Sequence, residues 1–159
     1  MKLPSFFTSL LLLLLIVSCG SDDDICLSGE ATPRMKLKFK TQSSGKLRTL
    51  DSVFVKVDYG NGLVPVIAAR TRTDSVFVPL RVDDASVTKV FVGLSSTATN
   101  TEIDVRYTTK SAYVSPACGI KKVYENVSAT LSGAGTVLGI EQNQSQITDE
   151  SKTHFFLLF

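Results

Sequence analysis

The sequence predicts an all-β domain, an antiparallel β-sandwich of the immunoglobulin-like or transthyretin-like kind with about seven to nine strands. Three observations lead to this prediction. Several segments alternate apolar and polar residues, turn-forming residues separate these segments, and no long stretch has the helical period. A small up-and-down β-barrel is the alternative, because a closed sheet has the same pattern of strands.

The first predicted strand covers residues 34–40, where three apolar residues alternate with three lysines. The lysine row predicts an exposed or edge position and a solvated face, with anionic lipid or glycan as the alternative contact. Pro65 makes the third predicted strand a weak one. The remaining central strands are predicted at residues 50–59, 63–70, 75–80, 87–95, 101–114 and 121–131.

The last third of the chain is less regular. Gly133, Gly135 and Gly139 predict a flexible stretch, and residues 142–150 are polar and predicted to be exposed. Residues 154–159 are apolar on both faces, which indicates a strand buried within the sheets. His154, at the start of this strand, is therefore expected to be a packed side chain rather than a catalytic base.

Residues 1–18 have the three parts of a secretory signal peptide, namely a basic start, an apolar run and a small residue before the cleavage site. The apolar run is shorter than the roughly 20 residues that span a bilayer. The four residues that end at Cys19 resemble a bacterial lipobox. This resemblance implies that Cys19 receives lipid and acyl chains and becomes the first mature residue, whereas an ordinary signal peptide with an incidental cysteine is the alternative.

Residues 19–30 are predicted to form a flexible, lipidated, acidic tether ahead of a domain at residues 31–159. Ser21, Asp22, Asp23 and Asp24 resemble the signal that sends lipoproteins of the Bacteroidota to the outer face of the outer membrane. A tether on the periplasmic face is the alternative. Calcium binding by the aspartates is not expected, since a calcium site needs six to eight oxygen ligands.

Length and charge narrow the function classes. The chain has 159 residues, with 17 basic against 15 acidic side chains, so no basic face dense enough for nucleic acid is predicted. With Cys19 used for lipid, Cys26 and Cys118 remain in an oxidising compartment. They predict a disulfide, and two buried free thiols are the alternative. A metal site is not expected from two cysteines and a distant histidine.

Several segments resemble an uncharacterised family of Bacteroidota outer-membrane lipoproteins. The resemblance rests on Cys26 ahead of a Thr-Pro-Arg sequence, on residues 103–107, and on the Ala-Cys-Gly sequence at residues 117–119. Pro116 departs from it, because a basic residue is expected there. The family implies an outer-membrane lipoprotein and no particular activity, and it favours the pairing of Cys26 with Cys118.

No catalytic, cofactor or metal constellation is visible, so the sequence predicts a binding or structural module rather than an enzyme. The expected contacts are the membrane, through the N-terminal lipid, and an outer-membrane protein complex or a glycan. An envelope hydrolase and an architectural subunit of an outer-membrane complex are the alternatives. Ser52 and Ser75 each follow an aspartate in a short motif that resembles a Bacteroidota O-glycosylation signal.

Overall fold

The structure is a computed structural model that describes residues 31–159. The predicted signal peptide and tether, with Cys19, Cys26 and the residues of the export signal, lie outside this range. The described residues form nine strands and no helix. The strands are β1 (Met35–Lys40), β2 (Leu50–Asp58), β3 (Leu63–Thr73), β4 (Ser75–Val78), β5 (Val87–Gly93), β6 (Thr101–Ser115), β7 (Gly119–Leu131), β8 (Gly139–Gln142) and β9 (Phe155–Leu158).

The strands form two separate sheets. One has the order β4-β1-β9-β8 and the other has the order β3-β2-β5-β6-β7. Neighbouring strands are antiparallel except for β1 and β9, which run parallel. The predicted antiparallel-rich sandwich is therefore confirmed, and the alternative of a closed barrel is wrong. Residues 31–159 contain no helix long and apolar enough to cross a membrane.

The core lies between the sheets and follows the alternation seen in the sequence. On β1 the apolar residues point inward, and on β2 Val53, Val55 and Val57 do the same. Residues 155–158 form a central strand of the smaller sheet, between β1 and β8, as their two apolar faces predict. Pro65 lies on β3, which is an edge strand, a position that tolerates proline.

The lysine row of β1 is not at a sheet edge, so that expectation is wrong. β1 pairs with β4 on one side and β9 on the other. The side chains of Lys38 and Lys40 are only 26% and 20% exposed and pair with Asp74 at 3.2 Å and Glu141 at 2.5 Å. The Lys40 ammonium also lies 4.1 Å from the ring centroid of Phe156. The row therefore covers apolar surface and is largely neutralised by carboxylates.

Two further expectations about the last third hold only in part. The stretch predicted to be flexible is irregular up to Gly139, where β8 begins, but Gly135 packs so closely that an added Cβ would lie 2.8 Å from the backbone of Thr101. The polar segment 142–150 is not wholly exposed. Its Ile147 is fully buried and exchanges backbone hydrogen bonds of 2.8 and 3.1 Å with Tyr124.

Strand β7 changes its inward face part-way along. Its register with β6 shifts next to Asn126, which has a left-handed φ of 53°. This bulge brings Tyr124 and Val127 into the core, whereas Val123 is only half-buried. The sequence places Val123, Val127, Ala129 and Leu131 on one face of this strand, and that prediction is wrong for Val123, because the extra residue at the bulge breaks the two-residue period.

Candidate functional site

Strands β6 and β7 extend well beyond the rest of their sheet. β5 pairs only with residues 101–106 of β6, whereas β6 and β7 stay paired as far as Ser115 and Gly119. Residues 107–124 therefore form a two-stranded ribbon that leaves the sandwich. We call this segment the ribbon.

The tip of the ribbon carries two large apolar side chains in solvent. Tyr113 and Ile120 are cross-strand partners and are 70% and 64% exposed. Alternate residues of a strand share a face, so this pair lies on the same face as Thr109 and the buried Tyr124. The core-facing side of the ribbon thus continues past the point where the opposite sheet covers it.

The β4–β5 loop, residues 79–86, runs alongside the ribbon. The Tyr107 amide donates a 3.0 Å hydrogen bond to the Ser86 carbonyl. The Lys122 ammonium lies 3.0 Å from a carboxylate oxygen of Asp84 and donates to Ser111 at 3.2 Å. These contacts fix the ribbon against the loop.

The β2–β3 turn joins the same cluster. Gly60 has a left-handed φ of 94°, which disfavours a side chain at this position, and the Arg81 guanidinium packs over it, 2.9 Å from where a Cβ would lie. The Tyr59 hydroxyl donates to the Pro79 carbonyl at 3.3 Å. Arg81 binds the Asp83 carboxylate through two nitrogens, at 3.0 and 2.5 Å, and this hydrogen bonding lowers the pKa of Asp83. The turn (residues 59–62), the β4–β5 loop and the ribbon together form what we call the ribbon end.

A shallow notch of about 400 Å³ lies at the ribbon end. Its wall is formed by Tyr59, Pro79, Leu80, Arg81, Val82 and Asp83. Val82 is 52% exposed, and its neighbours Arg81 and Asp83 form an ion pair with each other. Such a notch suits an apolar side chain of a partner better than a charged ligand.

Buried hydroxyl groups support the notch from beneath. The Thr88 and Tyr107 hydroxyls are 2.5 Å apart, and the Arg81 amide donates to Thr88 at 3.1 Å. The ring of Tyr107 packs edge-on against Tyr124 with centroids 5.0 Å apart. Burial raises the pKa of both tyrosines, so they remain neutral at physiological pH. These groups pack beneath the ribbon end, and both phenols keep their protons.

The comparison with protein families assigns most of this region. Residues 59–159 match the model of a family described as Family of unknown function (DUF6452). The chain belongs to this family. The comparison with curated proteins found no match, and neither did the comparison with solved structures. The DUF6452 match contains the whole ribbon end and begins at Tyr59.

Cys118, a cysteine of the predicted disulfide, lies in the ribbon turn of the DUF6452 domain. Its amide donates to the Ser115 hydroxyl at 3.1 Å. Cys26 lies outside the described residues, so the pairing stays a prediction. Near the start of the described residues, the Thr32 hydroxyl accepts a 2.9 Å hydrogen bond from the Lys122 amide. The chain therefore joins the domain beside the ribbon.

The two candidate O-glycosylation serines have different surroundings. Ser52 lies on β2, an interior strand, and its hydroxyl donates to the Leu94 carbonyl. Ser75 lies on the edge strand β4, and its hydroxyl donates to the Asp74 carboxylate at 3.0 Å. Of the two predictions, modification of Ser75 requires less disturbance of the sheet.

The described residues hold no group of three or more metal-ligating side chains. His154 is 1% exposed, and its Nδ1 accepts a 2.8 Å hydrogen bond from the Lys36 amide. Burial lowers the pKa of His154, which keeps the ring neutral and committed to the backbone. The ring is therefore packed, as the sequence predicted.

The sequence reasoning missed the side chains that distinguish the ribbon end, namely Val82, Tyr113 and Ile120. A signal was present in strand length. Two predicted strands of more than ten residues flank the turn at Cys118, while the preceding strand is much shorter. A long antiparallel pair beside a short neighbour has to project from the sheet, and its tip residues lose their cover.

Proposed function

We propose that this DUF6452 protein is a lipid-anchored envelope protein whose domain binds another envelope protein through the ribbon end. The observation that carries the proposal is the exposed pair of Tyr113 and Ile120 on a rigid ribbon. Single exposed apolar residues are normal on protein surfaces. Here an aromatic and an aliphatic side chain project together from a braced element, and tyrosine is enriched where interfaces gain most of their binding energy.

The anchor belongs to the same proposal. Residues 1–18 act as a signal peptide, and Cys19 carries the lipid. The 13 residue-to-residue steps from Cys19 to Thr32 span at most about 45 Å when the chain is fully extended. Since Thr32 is hydrogen-bonded to Lys122, the base of the ribbon stays within about that distance of the membrane. A membrane-bound or membrane-embedded protein is therefore the partner that this geometry favours over a distant glycan.

We propose further that the protein is at the cell surface of a Bacteroidota outer membrane, in line with the sequence at residues 21–24. Protease added to intact cells then removes the domain. Protection until the outer membrane is opened would instead assign it to the periplasmic face. In either case no cofactor or nucleic acid takes part.

A binding role also explains the site better than catalysis does. Arg81 and Asp83 form an ion pair with each other, and the tyrosines beneath this pair stay neutral. The chain has a single histidine, and its ring accepts a hydrogen bond from the β1 backbone. The alternative of an envelope hydrolase has no comparable supporting observation among residues 31–159. The alternative of an architectural subunit differs from the proposed binding role only in that the complex would be permanent.

The size of the detergent-solubilised protein tests the proposal. We expect the lipidated wild type to migrate in a complex, and the double variant Tyr113→Ser with Ile120→Ser to migrate as a lone domain. The matched control is Leu47→Ser with Leu138→Ser, which removes two side chains of similar exposure outside the ribbon end. Loss of the complex in both double variants, or in neither, contradicts a role for the ribbon end. A Cys19→Ala variant that still fractionates with membranes contradicts the lipid anchor.

A further inference from the structure

The outer edge of β3 is unusually apolar for an exposed strand. Residues 63–69 contain no charged side chain, and five of the seven are exposed. β3 pairs with β2 on one side, and no described strand pairs with its other side. A long apolar edge of this kind is a template for the addition of another strand.

The backbone of β3 is irregular in the middle of this edge. The pairing of β3 with β2 shifts in register twice, once between Arg70 and Ile67 and once between Ile67 and Pro65. Each shift inserts an additional residue into β3, and the inserted residues of a bulge leave the ladder unpaired. Residues 66–69 therefore present main-chain donors and acceptors that β2 does not fully use.

A groove of about 560 Å³ lies along this segment. It is lined by Arg34, by residues 66–70 and by Phe77, so it runs between the edge of β3 and the edge strand β4 of the other sheet. The wall is more polar than apolar, because it is made of β3 main chain and two guanidinium groups. The groove is open along its length, which suits an extended chain rather than a compact small molecule.

The charges at the groove are positive and differ in availability. Arg34 is bound to Glu150 through two nitrogens at 2.7 Å and lies 4.9 Å from the centroid of the Phe77 ring. Arg70 is exposed and makes no ion pair with any residue from 31 to 159. β3 itself contains no acidic side chain. Arg70 is thus a cation beside main-chain groups that β2 does not fully use, and it has no paired carboxylate among residues 31–159.

We propose that the groove binds an extended, acidic segment of a partner protein, which adds as a strand to β3 over residues 66–73. A carboxylate of the segment binds Arg70, and its main chain pairs with the bulged stretch. Pro65 lacks an amide hydrogen and so sets the limit of pairing at that end. This surface is separate from the ribbon end, so the two proposals can fail independently.

The test uses the mature, non-lipidated domain and a fluorescein-labelled decapeptide of alternating Glu and Val, followed by fluorescence anisotropy. We expect saturable binding that Arg70→Ala weakens about tenfold or more, since a charge-assisted hydrogen bond is lost. The matched control is Arg106→Ala, which removes an exposed, unpaired arginine on β6 and leaves affinity unchanged. Alternating Lys and Val should not bind.

Four outcomes overturn the proposal. Equal affinity for the same peptide with N-methyl groups on alternate residues excludes strand pairing. Equal affinity for polygalacturonate would assign the groove to acidic glycans. If the free protein is a dimer and Arg70→Ala dissociates it, β3 instead binds a second copy of the chain. Absence of peptide binding also refutes the proposal. Variants of Tyr113 and Ile120 should leave peptide affinity unchanged, which separates this result from the ribbon end.

Discussion

His154 shows how a single side chain can substitute for main chain in a sheet. Its amide donates to the Lys36 carbonyl at 2.9 Å, while its Nδ1 accepts from the Lys36 amide at 2.8 Å. The ring therefore completes the pairing at the start of β9. Because Nδ1 acts as an acceptor, protonation of the ring would set two donors against each other.

This arrangement predicts a loss of stability in weak acid. Burial holds the folded-state pKa of His154 below its ordinary value of about 6.5. The positive charge of Lys36 also lowers this pKa, whereas the negative charges of Asp149 and Glu150 raise it without reversing the shift. Below about pH 6.5 the histidine is protonated in the unfolded chain but stays neutral in the folded chain. The free energy of unfolding therefore falls as the pH falls. Urea unfolding between pH 8 and pH 5 should show this decline.

A matched variant isolates the histidine. In His154→Asn the amide oxygen can accept the Lys36 amide hydrogen but cannot be protonated. We expect the variant to be somewhat less stable at pH 8 and to lack the decline between pH 6.5 and 5. His154 is the only histidine in the chain, so an unchanged decline in the variant would show that this assignment is wrong.

At the scale of elements, the connection between β7 and β8 is tightly packed rather than loose. Gly135→Ala would place a Cβ 2.8 Å from the Thr101 backbone, and overpacking of this kind costs about 1–3 kcal/mol. Gly133→Ala is the control, because its Cβ would meet nothing closer than 3.6 Å. Chemical denaturation should show the loss for Gly135→Ala alone. Equal effects in the two variants would contradict the close packing.

Elements with a regular period were predictable, and those that depend on a neighbour were not. β1, β2 and β6 bury alternate residues, so the period of two located them. β8 has four residues, and only its pairing with β9 makes it a strand. The bulge at Asn126 arises from the register with β6, which no local pattern encodes.

At the scale of the whole molecule, the start of the domain and the ribbon meet at one place. Thr32 and Lys122 are bonded to each other, six residues after Cys26 and four after Cys118. Six residues reach about 20 Å, so the predicted disulfide is within range of the ribbon turn. The bond would close residues 26–118 into one loop and leave residues 119–159 outside it.

The disulfide makes a direct prediction. Cys118→Ser should lower the free energy of unfolding by about 2–4 kcal/mol, and reduction of the wild type should lower it by the same amount. Intact mass of the non-reduced protein should fall two protons short of the thiol form. Free thiols in the secreted protein, or a reductant with no effect on stability, would rule the disulfide out.

The sandwich as a whole could be predicted from sequence, and the candidate binding surfaces could not. Alternation identifies which residues face a core but not where that core stops. Tyr113 has the pattern of an inward residue, and it is exposed only because the opposite sheet does not extend beneath it. The groove at β3 likewise depends on which strands lie at the edges of the two sheets, a property of topology.

The most direct test of the central claim is site-specific photo-crosslinking in cells that make the lipidated protein. A photoreactive phenylalanine analogue replaces Ile120 in one strain and Leu138 in another, two exposed positions on different parts of the domain. If the ribbon end binds an envelope protein, Ile120 yields one discrete adduct and Leu138 does not. No adduct at Ile120, or the same adducts from both positions, would contradict the account.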